Sequence, residues 1–195
     1  DVHDTANASL GAASPTRFDS GGVKYEQWVT DATASRPLTL MAGGNLAVGG
    51  QLRHETYAIR NGEPDAYFGL GADGFAGFNP RNPTDARRDA QAAFVDMELR
   101  PVASVFLGLA ARYDHYDDFG GDATYRATAR WDVTEGLAVR ASAGTGFKAP
   151  SLQQQYFSAV QGATFAGQLV TVGTLPVSDP VAKALGAEDL KPERL

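Results

Sequence analysis

The chain has 195 residues, 43% hydrophobic and 21% charged, with a net charge of −6. That balance excludes a disordered chain and a bundle of membrane helices, and the acidic sign argues against general nucleic-acid binding, which needs clustered Lys and Arg. No apolar run approaches the ~20 residues of a spanning helix, but a membrane strand needs only ~9–11, so a mean hydropathy of −0.25 leaves a β-barrel open.

With 22 Gly, 10 Pro and no Cys, the composition suits a turn-rich β protein without disulfides. The opening DVHDTANASL has neither a basic start nor an apolar core and is not a signal peptide. An exported protein must carry or have lost one, so an exported reading implies a mature or truncated chain.

In chain order, residues 1–22 are polar, broken by Gly11, Pro15, Gly21 and Gly22, and read as loop. Val23 to Thr33 holds strand formers, but Lys24 and Glu26 share one face while Asp31 takes the other, so a bulged strand is expected. Ser35, Arg36 and Pro37 read as a turn. From Asn45 to Ile59, Leu46, Val48, Gly50 and Leu52 oppose Gln51, Arg53, Glu55 and Tyr57. Gln91 to Arg100 sets Ala93, Val95, Met97 and Leu99 against Phe94, Asp96, Glu98 and Arg100, and Pro101 starts a turn. Val105 to Tyr116 sets Val105, Leu107, Leu109 and Ala111 against Arg112 and Asp114. After the DDFGGD turn, Tyr125, Ala127, Ala129 and Trp131 oppose Arg126, Arg130 and Asp132. A turn through Thr134, Glu135 and Gly136 leads to Leu137, Val139, Ala141 and Ala143, opposed to Arg140 and Ser142. That strand ends toward Pro150, which lacks a ladder donor.

In the five clearer strands every charge lies on one face, which random placement gives about once in sixty. A soluble sheet over a core and a barrel wall against lipid both produce that pattern. Length and rhythm separate them. These strands run to roughly ten residues or more, against a soluble mode of about 5–6. Connections are short at 35–38, 101–104 and 134–136 but long at 60–90 and from 147 onward, with 117–122 a short exception. Short turns on one rim and long loops on the other are the habit of outer-membrane barrels. Tyr113 and Tyr125 near one rim and Trp131 near the other read as girdle aromatics.

The stretch Thr145 to Ser158, TGFKAPSLQQQYFS, resembles a segment of TonB-dependent outer-membrane receptors, whose strands commonly run into a GF(R/K)APSL element at the base of an extracellular loop. SPTRFDSGGVKY, GEPDAYFG, AAFVDMELRP, AARYDHYDDFG and VAKALGAEDLKPE resemble further segments of that family in the expected order. The elements Gly146 to Leu152 and Leu190 to Glu193 are the most specific. The resemblance implies an all-β fold of antiparallel up-and-down strands, part of a large transmembrane β-barrel of about 22 strands with a plugged lumen. With some six or seven strands, residues 1–195 are expected to be a partial barrel, lacking the plug domain, the TonB-contacting box and the C-terminal strands. The resemblance further implies the cell outer membrane, a small nutrient ligand, outer-membrane lipid around the wall, and energy from the inner-membrane TonB complex through the missing plug. No cofactor and no nucleic-acid partner are implied.

Other chemistry fits less well. Gly69, Gly71 and Gly74 spell GxGxxG, but Pro80 and Pro83 follow instead of a helix, which speaks against a dinucleotide site. Asp114, His115, Asp117, Asp118 and Asp122 are oxygen-rich but lack EF-hand spacing, and an acidic solvated hairpin explains them better. His3, His54 and His115 are scattered, and neither GxSxG nor HExxH occurs, so neither a metal site nor an enzyme is expected.

The long loops carry the expected ligand contacts. Tyr67, Phe68, Phe75, Phe78 and Asn79, with Arg81, Arg87 and Arg88, combine aromatic and guanidinium groups suited to anionic or hydroxylated ligands. Packing of the aromatics within the loop is the competing reading. Gln153, Gln154, Gln155 and Tyr156 in the second loop are further candidates, and Ser178, Asp179 and Pro180 with Gly186 predict a short helix there. The sequence therefore reads as a segment of a receptor importing a siderophore-bound metal, cobalamin or an oligosaccharide. A soluble antiparallel β-sandwich binding module and a passive porin or adhesin are the alternatives.

Overall fold

The structure, a computed structural model, describes residues 3–4, 6–72, 75–81 and 84–195. Strands β1 (His3–Asp4) and β2 (Phe18–Asp19) pair around a 3-10 helix at Ala8–Ala13. Then come β3 (Gly22–Leu38), β4 (Gly44–Arg60), helix α1 (Pro64–Tyr67), β5 (Thr84–Val102), β6 (Val105–Tyr116), β7 (Gly120–Thr134) and β8 (Leu137–Gly144). The remainder holds β9 (Phe147–Lys148), α2 (Leu152–Tyr156), β10 (Ala159–Phe165), β11 (Gln168–Thr174), α3 (Pro180–Ala184) and β12 (Glu193–Arg194).

Strands β3 to β8 form one antiparallel sheet in strict sequence order, an up-and-down meander. The fold is all-β, as the alternating runs predict. Register explains the shared faces. Leu109 stands opposite Met97 and Ala127, Ala129 opposite Ala141, and Trp131 opposite Val105 and Val139, so the apolar sets of four strands form one continuous surface.

The described residues group into two units, one of 1–26, 55–87 and 150–190, the other of 27–54, 88–149 and 191–195. In the first, the backbone at Ser20 and Gly21 crosses that at Arg60 to Gly62. A Cβ on Gly21 (φ 93°) would lie 2.4 Å from the Arg60 carbonyl oxygen, so glycine is required twice over. Phe78 N–H donates to the Ser20 carbonyl (2.9 Å), Gly62 N–H to the Phe78 carbonyl (2.8 Å), and Arg60 pairs with Asp19 (2.8 Å). Tyr57, Ile59, Phe78, Ala86 and Leu152 form the buried core of this unit.

Several boundaries differ from expectation. Residues 1–22 contain a helical turn and two short paired strands as well as loop. Strand β3 runs through the expected turn at Ser35, Arg36 and Pro37 to Leu38, and the chain reverses around Met41 (φ 59°) and Gly43 (φ 112°). Pro37 therefore lies inside β3, one residue before its end at Leu38. Pro101 likewise sits inside β5, at a register shift between Leu99 and Val102, where a bulge accepts it. Strand β5 begins at Thr84, so the expected 60–90 loop ends before Arg87 and Arg88.

The out-of-phase charges of β3 also resolve. Tyr25 Oη donates to Glu55 (2.5 Å) and Gln51 Nε2 to Asp31 (2.6 Å), which puts the odd-numbered residues on the polar face. Lys24 and Glu26, ion-paired at 3.0 Å, therefore fall on the apolar side, but near the Gly22 end of the strand. The later region is richer than a loop. It holds α2, the β10–β11 hairpin and α3, whose Asp179 cap and following Gly186 (φ 94°) match the predicted start and stop.

Candidate functional site

The polar and apolar faces of the sheet differ in what holds them. On the polar face, Arg112 grips Asp114 through three N–H bonds of 2.8–3.0 Å and donates to Gln51 Oε1 (3.0 Å). Gln51 also accepts from Arg53 (2.9 Å) and donates to Asp31, so a single network crosses from β3 to β6. These i, i+2 pairs exist because alternate residues share a face. The apolar face carries no comparable cover. Leu52 is 59% exposed, Leu109 48%, Tyr125 60% and Trp131 55%. An open apolar trough of about 660 Å³ runs between Leu46, Met97 and Leu109 and the small side chains of Ala127 and Ala143. A sandwich module would bury this face under a second sheet. Among the described residues nothing covers it.

The expected ligand residues meet different fates. Helix α1 starts with Pro64 at its first position, and the segment after it is pinned by Asn7. Asn7 is buried, and its Nδ2 donates to the carbonyls of Asp65 (2.7 Å) and Phe68 (3.0 Å). Ser9 Oγ accepts from Leu70 N–H (3.0 Å). Tyr67 is consequently half-buried on a fixed turn, and Phe68 is presented to solvent, 56% exposed.

Phe75 and Phe78 contact edge to face at 5.0 Å, and Phe78, with Phe157 at 6.3 Å, is buried in the loop core. For these two rings the structure gives the packing reading. Asn79 Oδ1 accepts from Arg81 N–H (2.8 Å) in a local turn, leaving the Arg81 side chain exposed. Arg87 and Arg88 are a correction. As consecutive strand residues they point to opposite faces. Arg87 is exposed beside Asp85 (3.6 Å), whereas Arg88 is 4% exposed, 5.1 Å over the Tyr116 ring and 3.6 Å from Asp118.

In α2, Ser151 and Gln154 form a reciprocal capping box, with Ser151 N–H donating to Gln154 Oε1 (2.8 Å) and Gln154 N–H to Ser151 Oγ (3.1 Å). Gln154 is thus structural, Gln153 is exposed, and Gln155 and Tyr156 are half-buried, Tyr156 against the loop core. The S-x-x-Q spacing would have disclosed this cap. Asn7 was missed because its partners lie far along the chain. Tyr57, 1% exposed, has a hydroxyl without a partner among the described residues. Tyr57→Phe is expected to leave stability unchanged or raise it by about 1 kcal/mol, since it removes a buried unpaired dipole. A chemical-denaturation midpoint of the intact protein checks this, and a clear loss of stability would contradict it.

The acidic hairpin is divided among separate partners. Asp114 holds Arg112, Asp118 faces Arg88, Asp122 accepts from Arg194 (2.6 Å), and Asp117 accepts from Asp89 N–H (3.1 Å). His54 pairs with Asp89 at 2.7 Å. Among the described residues no three His, Cys, Asp or Glu side chains are grouped to hold a metal ion. Gly69 and Gly71 take positive φ in a turn, while Gly74, Pro83 and the His3 side chain lie outside the described residues.

Comparison with known proteins agrees with this architecture. Residues 1–195 match the family described as TonB dependent receptor-like, beta-barrel. The sheet is similar to solved structures of the ferric enterobactin receptor (PfeA) of Pseudomonas aeruginosa. One, in complex with enterobactin, is 18% identical with a TM-score of 0.55, over 71% of this chain and 20% of that one. A double mutant of the receptor gives 18% identity and a TM-score of 0.57, over 79% and 22%. The chain spans about a fifth of the length of these receptors. A meander of long strands with one ion-paired face, one uncovered apolar face and a family match along its whole length identifies this chain as a member of the TonB-dependent receptor β-barrel family.

Proposed function

We propose that this chain is part of the wall of an outer-membrane receptor that binds a scarce nutrient outside the cell and imports it with energy delivered by TonB. The observation that carries the reading is the uncovered apolar face. On β6 it runs uncharged from Val105 to Tyr113, roughly 27 Å along the strand at about 3.4 Å per residue, or roughly 21 Å along the normal at about 40° tilt. That is close to the ~25 Å apolar band of such barrels, and Tyr113, Tyr125 and Trp131 stand where interfacial rings belong. The polar face, with its ion pairs, would line the lumen. Lipid around the wall, a plug inside it and TonB beyond the plug are the implied partners.

Within the loops, Tyr67, Phe68, Arg81 and Gln153 are the candidate ligand contacts of this reading, supported by their partial or full exposure. Siderophore-bound metal, cobalamin and oligosaccharide all suit that mixture. Native protein is expected to sediment with outer membranes at several times 20.6 kDa, whereas a soluble band of that mass would overturn the reading. Uptake should stop when the proton-motive force is dissipated, which a passive porin would not show. A receptor with Phe68→Ala and Arg81→Ala should reach the membrane normally and bind its nutrient on the order of tenfold more weakly. Binding assays with ferric enterobactin, cyanocobalamin and a maltooligosaccharide check this, and unchanged binding would remove these residues from the site.

A further inference from the structure

An arginine row crosses the polar face of the sheet. The registers place Phe106 opposite Arg130 and Arg130 opposite Arg140, so three side chains align across β6, β7 and β8. Arg100 of β5 lies over the Phe106 ring at 5.6 Å. The adjacent row is small and hydroxylated, with Gly108 opposite Thr128 and Thr128 opposite Ser142. Between the rows opens a trough of about 350 Å³ lined by Phe106, Thr128, Arg130, Arg140 and Ser142. A Cβ at Gly108 would meet Thr128 Oγ1 at 2.5 Å, so glycine there leaves the Thr128 hydroxyl its place.

The charge is not balanced within the row. Like charges directly opposite on neighbouring strands destabilise a sheet, and Arg130 and Arg140 are such a pair. Asp132 accepts two bonds from Arg130, from Nε at 2.9 Å and Nη2 at 2.6 Å, both on one oxygen. Among the described residues the guanidiniums of Arg100, Arg126 and Arg140 make no hydrogen bond or ion pair. Asp96 and Glu98, the other carboxylates on this face nearby, stand on β5 with β6 between them and the β7 arginines.

We propose that this trough is an oxyanion site, taking a carboxylate or phosphate group between Arg130 and Arg140. A guanidinium presents a planar fork matched to two oxygens, and the Ser142 hydroxyl supplies a further donor, whereas Thr128 Oγ1 donates to the Gly108 carbonyl (3.5 Å). The anion relieves the cross-strand repulsion. It comes from a free solute or from an acidic side chain elsewhere in the receptor, and the chemistry of the trough is the same for both. The site rests on the sheet registers and not on the identity of the imported nutrient.

Arginine footprinting of the intact receptor in detergent tests it, with phenylglyoxal as reagent, peptide mass mapping, and exposed Arg36 as reference. Citrate and inorganic phosphate are the probes. If a free anion fills the trough, citrate at about ten times its Kd slows modification of Arg130 and Arg140 by roughly tenfold and leaves Arg36 unchanged. In Arg140→Gln the protection of Arg130 then disappears, whereas Arg140→Lys retains part of it. If the receptor supplies the anion, both residues are protected without citrate, and about 1 M sodium chloride, with a ~3 Å Debye length, exposes them. Modification as fast as that of Arg36 under every condition overturns the proposal. So does protection that chloride leaves in place, which marks steric cover.

Discussion

Leu109→Arg is expected to destabilise the intact receptor in a lipid bilayer by about 2–4 kcal/mol, because it sets a cation on the lipid face near the midplane. Leu109 lies in mid-strand, flanked in register by Met97 and Ala127, with no carboxylate on that face of β5, β6 or β7 beside it. Tyr113→Arg, nearer the rim on the same strand and face, is expected to cost only about 0–1 kcal/mol. The contrast is the informative quantity. In water, arginine at an exposed strand position changes stability by about 0.5 kcal/mol or less, so a soluble sheet would show no depth dependence. Urea titration of receptor folded into phospholipid vesicles, followed by Trp fluorescence and heat-modifiable gel mobility, measures both variants. Equal effects at the two positions would remove the membrane from the argument.

Phe78→Ala is expected to cost about 3–5 kcal/mol within the loop unit, the usual penalty for emptying a large aromatic from a packed core. Phe78 touches rings on two sides, Phe75 at 5.0 Å and Phe157 at 6.3 Å, and shares its buried cluster with Tyr57 and Leu152. Its backbone also ties the crossing at Ser20 and Gly62. The loss should be local. Amide exchange of the intact receptor should accelerate in peptides covering 61–81 and 150–158 while β6 and β7 keep their protection. Unchanged exchange in the loop peptides would show that this core does not hold the loop.

What the sequence determined by itself was local or periodic. Alternation in β4, β6, β7 and β8 separated the two faces because a strand's side chains alternate whatever surrounds them. The α3 helix was legible from Asp179, Pro180 and Gly186, since caps act through the nearest backbone groups. Long strands and uneven connections pointed to a barrel before any register was known. Tertiary structure decided the rest. Pro37 and Pro101 read as breakers because a missing donor ends a paired strand, and only the structure showed β3 running on to Leu38 and a bulge accepting Pro101. Arg87 and Arg88 read as loop because two adjacent charges hide alternation. Only the fold supplied Tyr116 and Asp118 to bury the second. Whether Phe78 binds a ligand or packs the loop depended on Tyr57 and Leu152, whose approach is set by backbone crossings between distant segments and not by any neighbour in the chain.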